Sequence, residues 1–475
     1  MTQASASGNP TSQPTSSYRV PLARFAATVP STEIRPFSSG WATAGIALLA
    51  IAFGIFALGE WSWAAGTGAG LVVAPICLAL TFFVLRRPIS DERSFDLGGL
   101  LLTSLAFRLL ASYPRFLSAT DAHVYDSDGA VFADDFRKLV FTNIDVGNAP
   151  VPGTGVLRII AGLVHVLTDS NFFGSTLVFG FLAFWGCWFF YRAFVTAIPD
   201  GDHRRYARFI FLWPSLLYWP TSIGKESWMV FTAGMVALGA ARLLNRSRGG
   251  YVLIGSGMLL CALVRPHVAL LLVVALAVAF FVGRRHDDRP QGQFSLAGLS
   301  KVIGIVMLIV AGSLLAPATA SFLHVDDLST NSITNAIENT QARTDQGNSA
   351  FSAVNPNSPL GYPAAVITVL FRPLPGEVSG ISGLLSGLEG LALLAFVATS
   401  WRRIWTALRR LRSQPYLTFA VSFVAMFTYA FAALSNFGIL SRERVQVLPF
   451  LFVLLALPLA FRRTEQALGA IRSPN

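Results

Sequence analysis

The sequence predicts an all-α, polytopic helical membrane protein with about 12 transmembrane helices and two long outer loops bearing surface helices. Three observations predict it. Of 475 residues, 53% are hydrophobic and 13% charged, with a mean hydropathy of +0.56, far too apolar for a soluble chain of this length. Apolar runs of roughly 16–21 residues recur along the chain. Basic residues gather in the short segments between those runs. The net charge of +11 therefore reads as the positive-inside bias of a membrane protein, with no call for nucleic acid as a partner.

Residues 1–36 are rich in Ser, Thr, Pro and Ala and contain no hydrophobic stretch, so they read as a disordered cytoplasmic N-terminal tail. Residues 37–475 read as a single transmembrane domain. Spans are expected at 41–59, 65–85, 97–112, 171–191, 207–223, 227–244, 251–264, 268–282, 300–318, 380–400, 416–434 and 446–461. An even number of crossings puts both termini on one side. It also puts every basic cluster there: Arg19, Arg24 and Arg35; Arg86, Arg87 and Arg93; Arg204, Arg205 and Arg208; Arg246 and Arg248; Arg284, Arg285 and Arg289; Arg402 to Arg412; Arg462 and Arg463. That side is the cytoplasm, and the membrane expected is the plasma (inner) membrane.

The segment 153–168, GTGVLRIIAGLVHVLT, is apolar enough to pass for a span. A crossing there would move every later basic cluster outside. It is therefore expected to lie on or dip into the outer surface, with Arg158 and His165 on its wetter face. The same logic makes 361–371 an interfacial or re-entrant segment. Outer loops of about 113–170 and 319–379 result, and loops of that length in a tightly connected bundle are more often functional than idle. Cys77, Cys187 and Cys261 all fall within apolar spans, and their spacing gives neither a disulfide framework nor a metal site. There is no P-loop, dinucleotide fingerprint, nucleophile elbow or zinc motif.

The chain is organised around FIFLWPSLLYWPTSIGKE at 209–226, an aromatic run that ends on Lys225 and Glu226. Such a pair between membrane helices is costly unless it faces water, an opposite charge or a ligand. One reading is a charged hairpin tip at the lipid surface; the other is the mouth of a site. The first outer loop, SYPRFLSATDAHVYDSDGAVFADDF, offers Asp121, Asp126 and Asp128 with His123 and Tyr125 among them, whereas Asp134 and Asp135 read as solvated. Clustered carboxylates can remove a proton from a hydroxyl or bind a divalent cation such as Mg or Mn, for which Asp126 and Asp128 are the candidates. Further charges mark the same face: Arg265 and His267 in LVRPHVAL, Arg372 and Glu377 in FRPLPGE, and Arg442, Glu443 and Arg444 in SRERV. Guanidinium groups bind phosphate oxygens bidentately, so a ring of them beside carboxylates suits group transfer from a lipid-phosphate donor.

TDAHVYDSDG at 120–129, the helix 153–168, RRYARFIFLWPS at 204–215 and SIGKE at 222–226 together resemble the lipid-linked-sugar glycosyltransferases of the GT-C type, over roughly residues 95–300. WPSLLYWPTSIGKE, FRPLPGE and NFGILSRERVQVLPF look like segments of bacterial membrane proteins of surface-polysaccharide assembly. The resemblance implies Asp121 as the catalytic carboxylate, with Asp126 or Asp128 as alternatives, and Lys225 and Glu226 in the donor pocket. The partners it implies are a lipid-linked sugar donor, a glycan or lipid acceptor, and other glycan-assembly proteins. A Wzy-like polysaccharide polymerase or ligase, and a transporter or flippase of lipid-linked saccharide, are the alternative activities.

Overall fold

The computed structural model describes residues 40–62, 65–142, 144–245, 247–282, 296–323, 325, 329–345 and 349–458. The expected tail 1–36 lies outside the described residues, as do Arg246, Arg284, Arg285, Arg289, Arg462 and Arg463. The described chain is all-α. Its first helices are α1 (Gly40–Ser62), α2 (Gly70–Asp91), α3 (Leu97–Ser118), α4 (Thr120–Arg137), α5 (Thr154–Thr168) and α6 (Phe172–Ala197). They are followed by α7 (His203–Leu212), α8 (Pro214–Tyr218), α9 (Lys225–Leu244), α10 (Gly250–Val264), α11 (Pro266–Val282) and α12 (Leu296–Leu323). The last are α13 (Thr330–Thr344), α14 (Gly361–Phe371), α15 (Gly380–Thr399), α16 (Trp401–Arg409), α17 (Pro415–Phe431), α18 (Phe437–Glu443) and α19 (Leu448–Leu455).

Seven of these segments are long and apolar enough to cross a membrane: Gly40–Ser62, Thr67–Asp91, Leu97–Ser118, Phe172–Ala197, Lys225–Leu244, Gly304–Ser321 and Gly380–Thr399. The chain is a multi-span membrane protein, with seven candidate spans among the described residues where twelve were expected. The physical reasons are local. The expected span 207–223 is cut at Trp213, whose extended backbone precedes Pro214, leaving helices of 10 and 5 residues. The expected spans 251–264, 268–282 and 416–434 form helices of only 15, 17 and 17 residues. The last expected span is reduced to the eight-residue α19.

Backbone contact sets the bundle's centre. A methyl group on Gly186 of α6 would lie 2.4 Å from the Val230 carbonyl oxygen, and one on Gly234 of α9 would lie 2.4 Å from that of Gly186. Only glycine on both helices lets α6 and α9 cross this closely. Aromatic side chains fill the space around the crossing, with Phe184, Phe190, Phe194, Tyr206, Phe211 and Phe450 fully buried. Carboxylate and amide caps fix several helix starts: Asp96 accepts from Gly99 N at 2.7 Å, Asn171 from Gly174 N at 2.7 Å and Asp202 from Arg205 N at 3.1 Å.

The helix ends gather at two poles. At one, Arg205 bonds Ser400 Oγ at 2.7 Å, Arg403 meets Asp202 at 3.4 Å and Arg410 meets Asp200 at 3.1 Å, joining α7 to α16. The other pole holds the start of α9 with α4, α5, α13 and α18. Here α5 corrects one expectation. His165 does not face water: it is fully buried, with Nδ1 3.0 Å from Ser175 Oγ and Nε2 3.0 Å from Asp126. Arg158 pairs with Asp128 at 2.7 Å and donates to the Val146 carbonyl at 3.1 Å. The polar stripe of α5 is thus the face packed on α4.

Candidate ligand site at the start of α9

The site begins where α8 ends. Residues 219–224 form an irregular turn, Gly224 is extended (φ −178°, ψ 166°), and α9 starts at Lys225. Ser227 Oγ donates to the Ser222 carbonyl at 2.8 Å and closes the turn onto the helix. The reading of Lys225 and Glu226 as a hairpin tip at the lipid surface is therefore wrong: they open a helix, and Glu226 is only 3% exposed. The free amides of this first turn favour negative charge in front of them.

Two charged side chains arrive from distant parts of the chain. Asn436 caps α18 by accepting from Gly438 N and Ile439 N at 2.9 and 3.2 Å, which aims Arg442 across the start of α9. Arg442 Nε lies 3.0 Å from Glu226 Oε1, and its Nη2 lies 3.1 Å from Oδ2 of Asp121 in the first turn of α4. Arg115 on α3 donates to Ser222 Oγ at 3.1 Å and sits 5.5 and 5.2 Å from the ring centres of Tyr218 and Trp219. These groups, with Lys225 and Tyr125, enclose a polar pocket of about 50 Å³. Three cations (Arg115, Lys225, Arg442) face two carboxylates (Asp121, Glu226), leaving one net positive charge.

Burial disfavours the charge on Arg442, yet Glu226 and Asp121 outweigh it and hold the guanidinium's pKa above its ordinary value. Burial, with Asp121 and Glu226 adding to it, pushes the Tyr125 phenol up to about 12. Tyr125 is accordingly a protonated hydrogen-bond donor at neutral pH.

A second cavity of about 650 Å³ lies beside the first. Val264, Leu270, Leu271, Phe431, Leu434 and Ile439 make it largely apolar, and α13 supplies Asn339, Thr340 and Arg343 to its wall. Lys225, Arg265 and Glu443 form its charged end, with His267 beside them. Arg265 is already bound at both ends of its fork to Glu443, one contact being 2.6 Å, and Gln446 donates to the same carboxylate at 2.6 Å. Lys225 differs. It lines both cavities and makes no ion pair among the described residues.

The structure thus brings together Asp121, Tyr125, Lys225, Glu226 and Arg442, with Arg265 and His267 in the adjoining cavity. The other expected site residues lie elsewhere. Asp126 and Asp128 point at His165 and Arg158 on α5, so they do not converge as a cation site; among the described residues no three His, Cys, Asp or Glu side chains do. His123 is exposed against Phe172, ring centres 4.6 Å apart. Arg372 and Glu377 clamp their own loop at 2.7 Å, Leu374 N donating to Glu377 at 2.6 Å. The Arg372 guanidinium stacks 5.2 and 4.9 Å from the Phe351 and Phe437 rings. Arg444 is buried and donates to the Val369 carbonyl at 3.0 Å and to the Arg372 carbonyl, holding α14. Arg115 and Ser222 were not singled out as site residues, and Glu443 was noted only as one of the charges on that face. Arg115 could have been, because it follows Arg108, a charge inside the apolar run 97–112, by seven positions, which on a helix is the same face; both are buried on α3.

Comparison with protein-family models, with curated proteins and with solved structures returns no match for this chain.

Proposed function

We propose that this chain is a membrane glycosyltransferase that moves a sugar from a polyprenyl-phosphate-linked donor to a cell-envelope glycan or lipid acceptor at the outer face of the plasma membrane. The observation behind this reading is Lys225, an ion-unpaired cation at a helix N-terminus where a small charged pocket meets a large apolar cavity. An amphiphile with an anionic head fits that junction, its hydrocarbon in the cavity and its phosphate against Lys225 and the first amides of α9. Asp121 stands on the opposite wall with its side chain 53% exposed and Oδ1 without a partner among the described residues.

In the proposed reaction the bond from the sugar's anomeric carbon to the phosphate oxygen breaks as the acceptor oxygen bonds to that carbon. Asp121 takes the acceptor's proton. Lys225, Arg115 and Arg442 stabilise the departing polyprenyl phosphate. A polysaccharide polymerase or ligase would use the same groups on a longer donor. A transporter would need Lys225 and not the carboxylate of Asp121.

Binding of undecaprenyl phosphate to the purified chain, read by native mass spectrometry, tests the donor half of this reading. Lys225→Ala is expected to weaken binding roughly 10- to 100-fold, the range for a hydrogen bond to a charged group, and undecaprenol without its phosphate is expected to bind wild type no better than the variant. Equal binding of alcohol and phosphate to wild type contradicts the reading.

A further inference from the structure

We infer that the pole opposite the candidate site holds a binding surface for anionic phospholipid headgroups, built on α16. Only Ser400 separates the helix from the end of α15, itself a candidate membrane span, so it lies at the membrane boundary. Its side chains separate into three stripes by helical spacing. The inward stripe anchors it: Ala407 is fully buried, Arg403 donates to the Leu457 carbonyl and meets Asp202, and Arg410 meets Asp200 at 3.1 Å.

The second stripe is Trp401, Trp405 and Leu408, exposed by 60%, 50% and 42%. A rigidly anchored helix that leaves two indoles uncovered is suited to the headgroup region, where indole rings concentrate. The third stripe is cationic. Arg402 and Arg409 lie 5.7 and 5.1 Å from the Trp401 and Trp405 rings, and Arg412 follows them in the loop. All three are exposed and form no ion pair among the described residues. Arg204 and Arg208 on the neighbouring α7 are exposed and likewise unpaired. The inward arginines of α16 have carboxylates and the outward ones have none, so the outward charge is complementary to an anion outside the chain. Beside two indoles at the end of a span, that anion is a lipid phosphodiester, to which guanidinium offers paired donors.

The test uses the full-length chain in an uncharged detergent, with thermal unfolding followed as dioleoyl phosphatidylglycerol or dioleoyl phosphatidylcholine is added. Phosphatidylglycerol is expected to raise the unfolding temperature beyond the effect of phosphatidylcholine. The triple variant R402Q/R409Q/R412Q is expected to unfold with wild type in detergent alone and to need about 100-fold more phosphatidylglycerol for the same rise, at about fivefold per arginine. Equal effects of the two lipids on wild type overturn the inference, as does an undiminished phosphatidylglycerol response in the triple variant. A rise of the same size with inorganic phosphate alone also overturns it, because the surface would then read a free anion.

Discussion

Arg442 joins two carboxylates that lie far apart in sequence, one at the start of α4 and the other at the start of α9. A lysine there would offer one point charge where the guanidinium offers a fork. Because Glu226 is buried, Arg442→Met is expected to destabilise the chain by about 3–5 kcal/mol, read as thermal unfolding in detergent. Adding Glu226→Met should recover most of that loss; additive losses would mean the pair is not coupled. At Glu377 burial raises the carboxyl pKa, but Arg372 and the Leu374 amide outweigh it and hold it below its ordinary value. A carboxyl depressed on folding stabilises above its unfolded pKa and loses that contribution as pH falls through the folded value. Glu377→Gln should therefore cost about 0.5–1 kcal/mol at pH 7, and the gap to wild type should close below about pH 4. A gap unchanged at pH 3 contradicts this account of the loop. Lys225, Glu226, Asp121 and Arg442 were visible in the sequence as charges out of place in apolar surroundings. Asp126 and Asp128 were visible as carboxylates clustered with Asp121 in the first outer loop, and they stand elsewhere. Once Thr120–Arg137 is helical, seven residues put Asp128 about 10 Å along the axis from Asp121, where Arg158 of α5 meets it.

At the scale of elements, the position of Lys225 rests on the contact of α6 with α9. Gly186→Leu places a side chain where the backbone of Val230 already lies. It should destabilise by at least about 1–3 kcal/mol, as overpacking does, and displace the start of α9. Gly255→Leu on α10 is the control, because nothing lies within 4 Å of a methyl group there. Its unfolding temperature should match wild type, and equal losses from both variants would remove the crossing from the explanation. Hydropathy located the apolar segments but not their breaks. Pro214 and Pro220 were plain in the sequence, yet only the extended backbone at Trp213 turns the expected span 207–223 into α7, α8 and a turn. That break lets Lys225 begin a helix under Arg442 instead of capping a hairpin at the lipid surface.

For the molecule as a whole, charge divides between the poles. The end away from Lys225 gathers the exposed arginines of α7 and α16. The end with Lys225 gathers Asp121, Glu226 and Glu443 together with Arg115, Arg265 and Arg442. The multi-span architecture was legible from apolar runs alone. The two cavities were not, because they depend on how α13, α17 and α18 close over α11 and the start of α9. In the proposed function the charged pocket and the apolar cavity form one site for sugar transfer. That reading is tested most directly by deleting the gene in its host and restoring it as wild type, Asp121→Asn or Lys225→Ala, with membrane levels matched. Surface glycans and polyprenyl-linked intermediates are then compared by mass. Deletion and both variants are expected to lose the same sugar or polymer, by about 100-fold or more for Asp121→Asn, while its lipid-linked precursor accumulates. Full complementation by both variants, or glycans unchanged by the deletion, would contradict it.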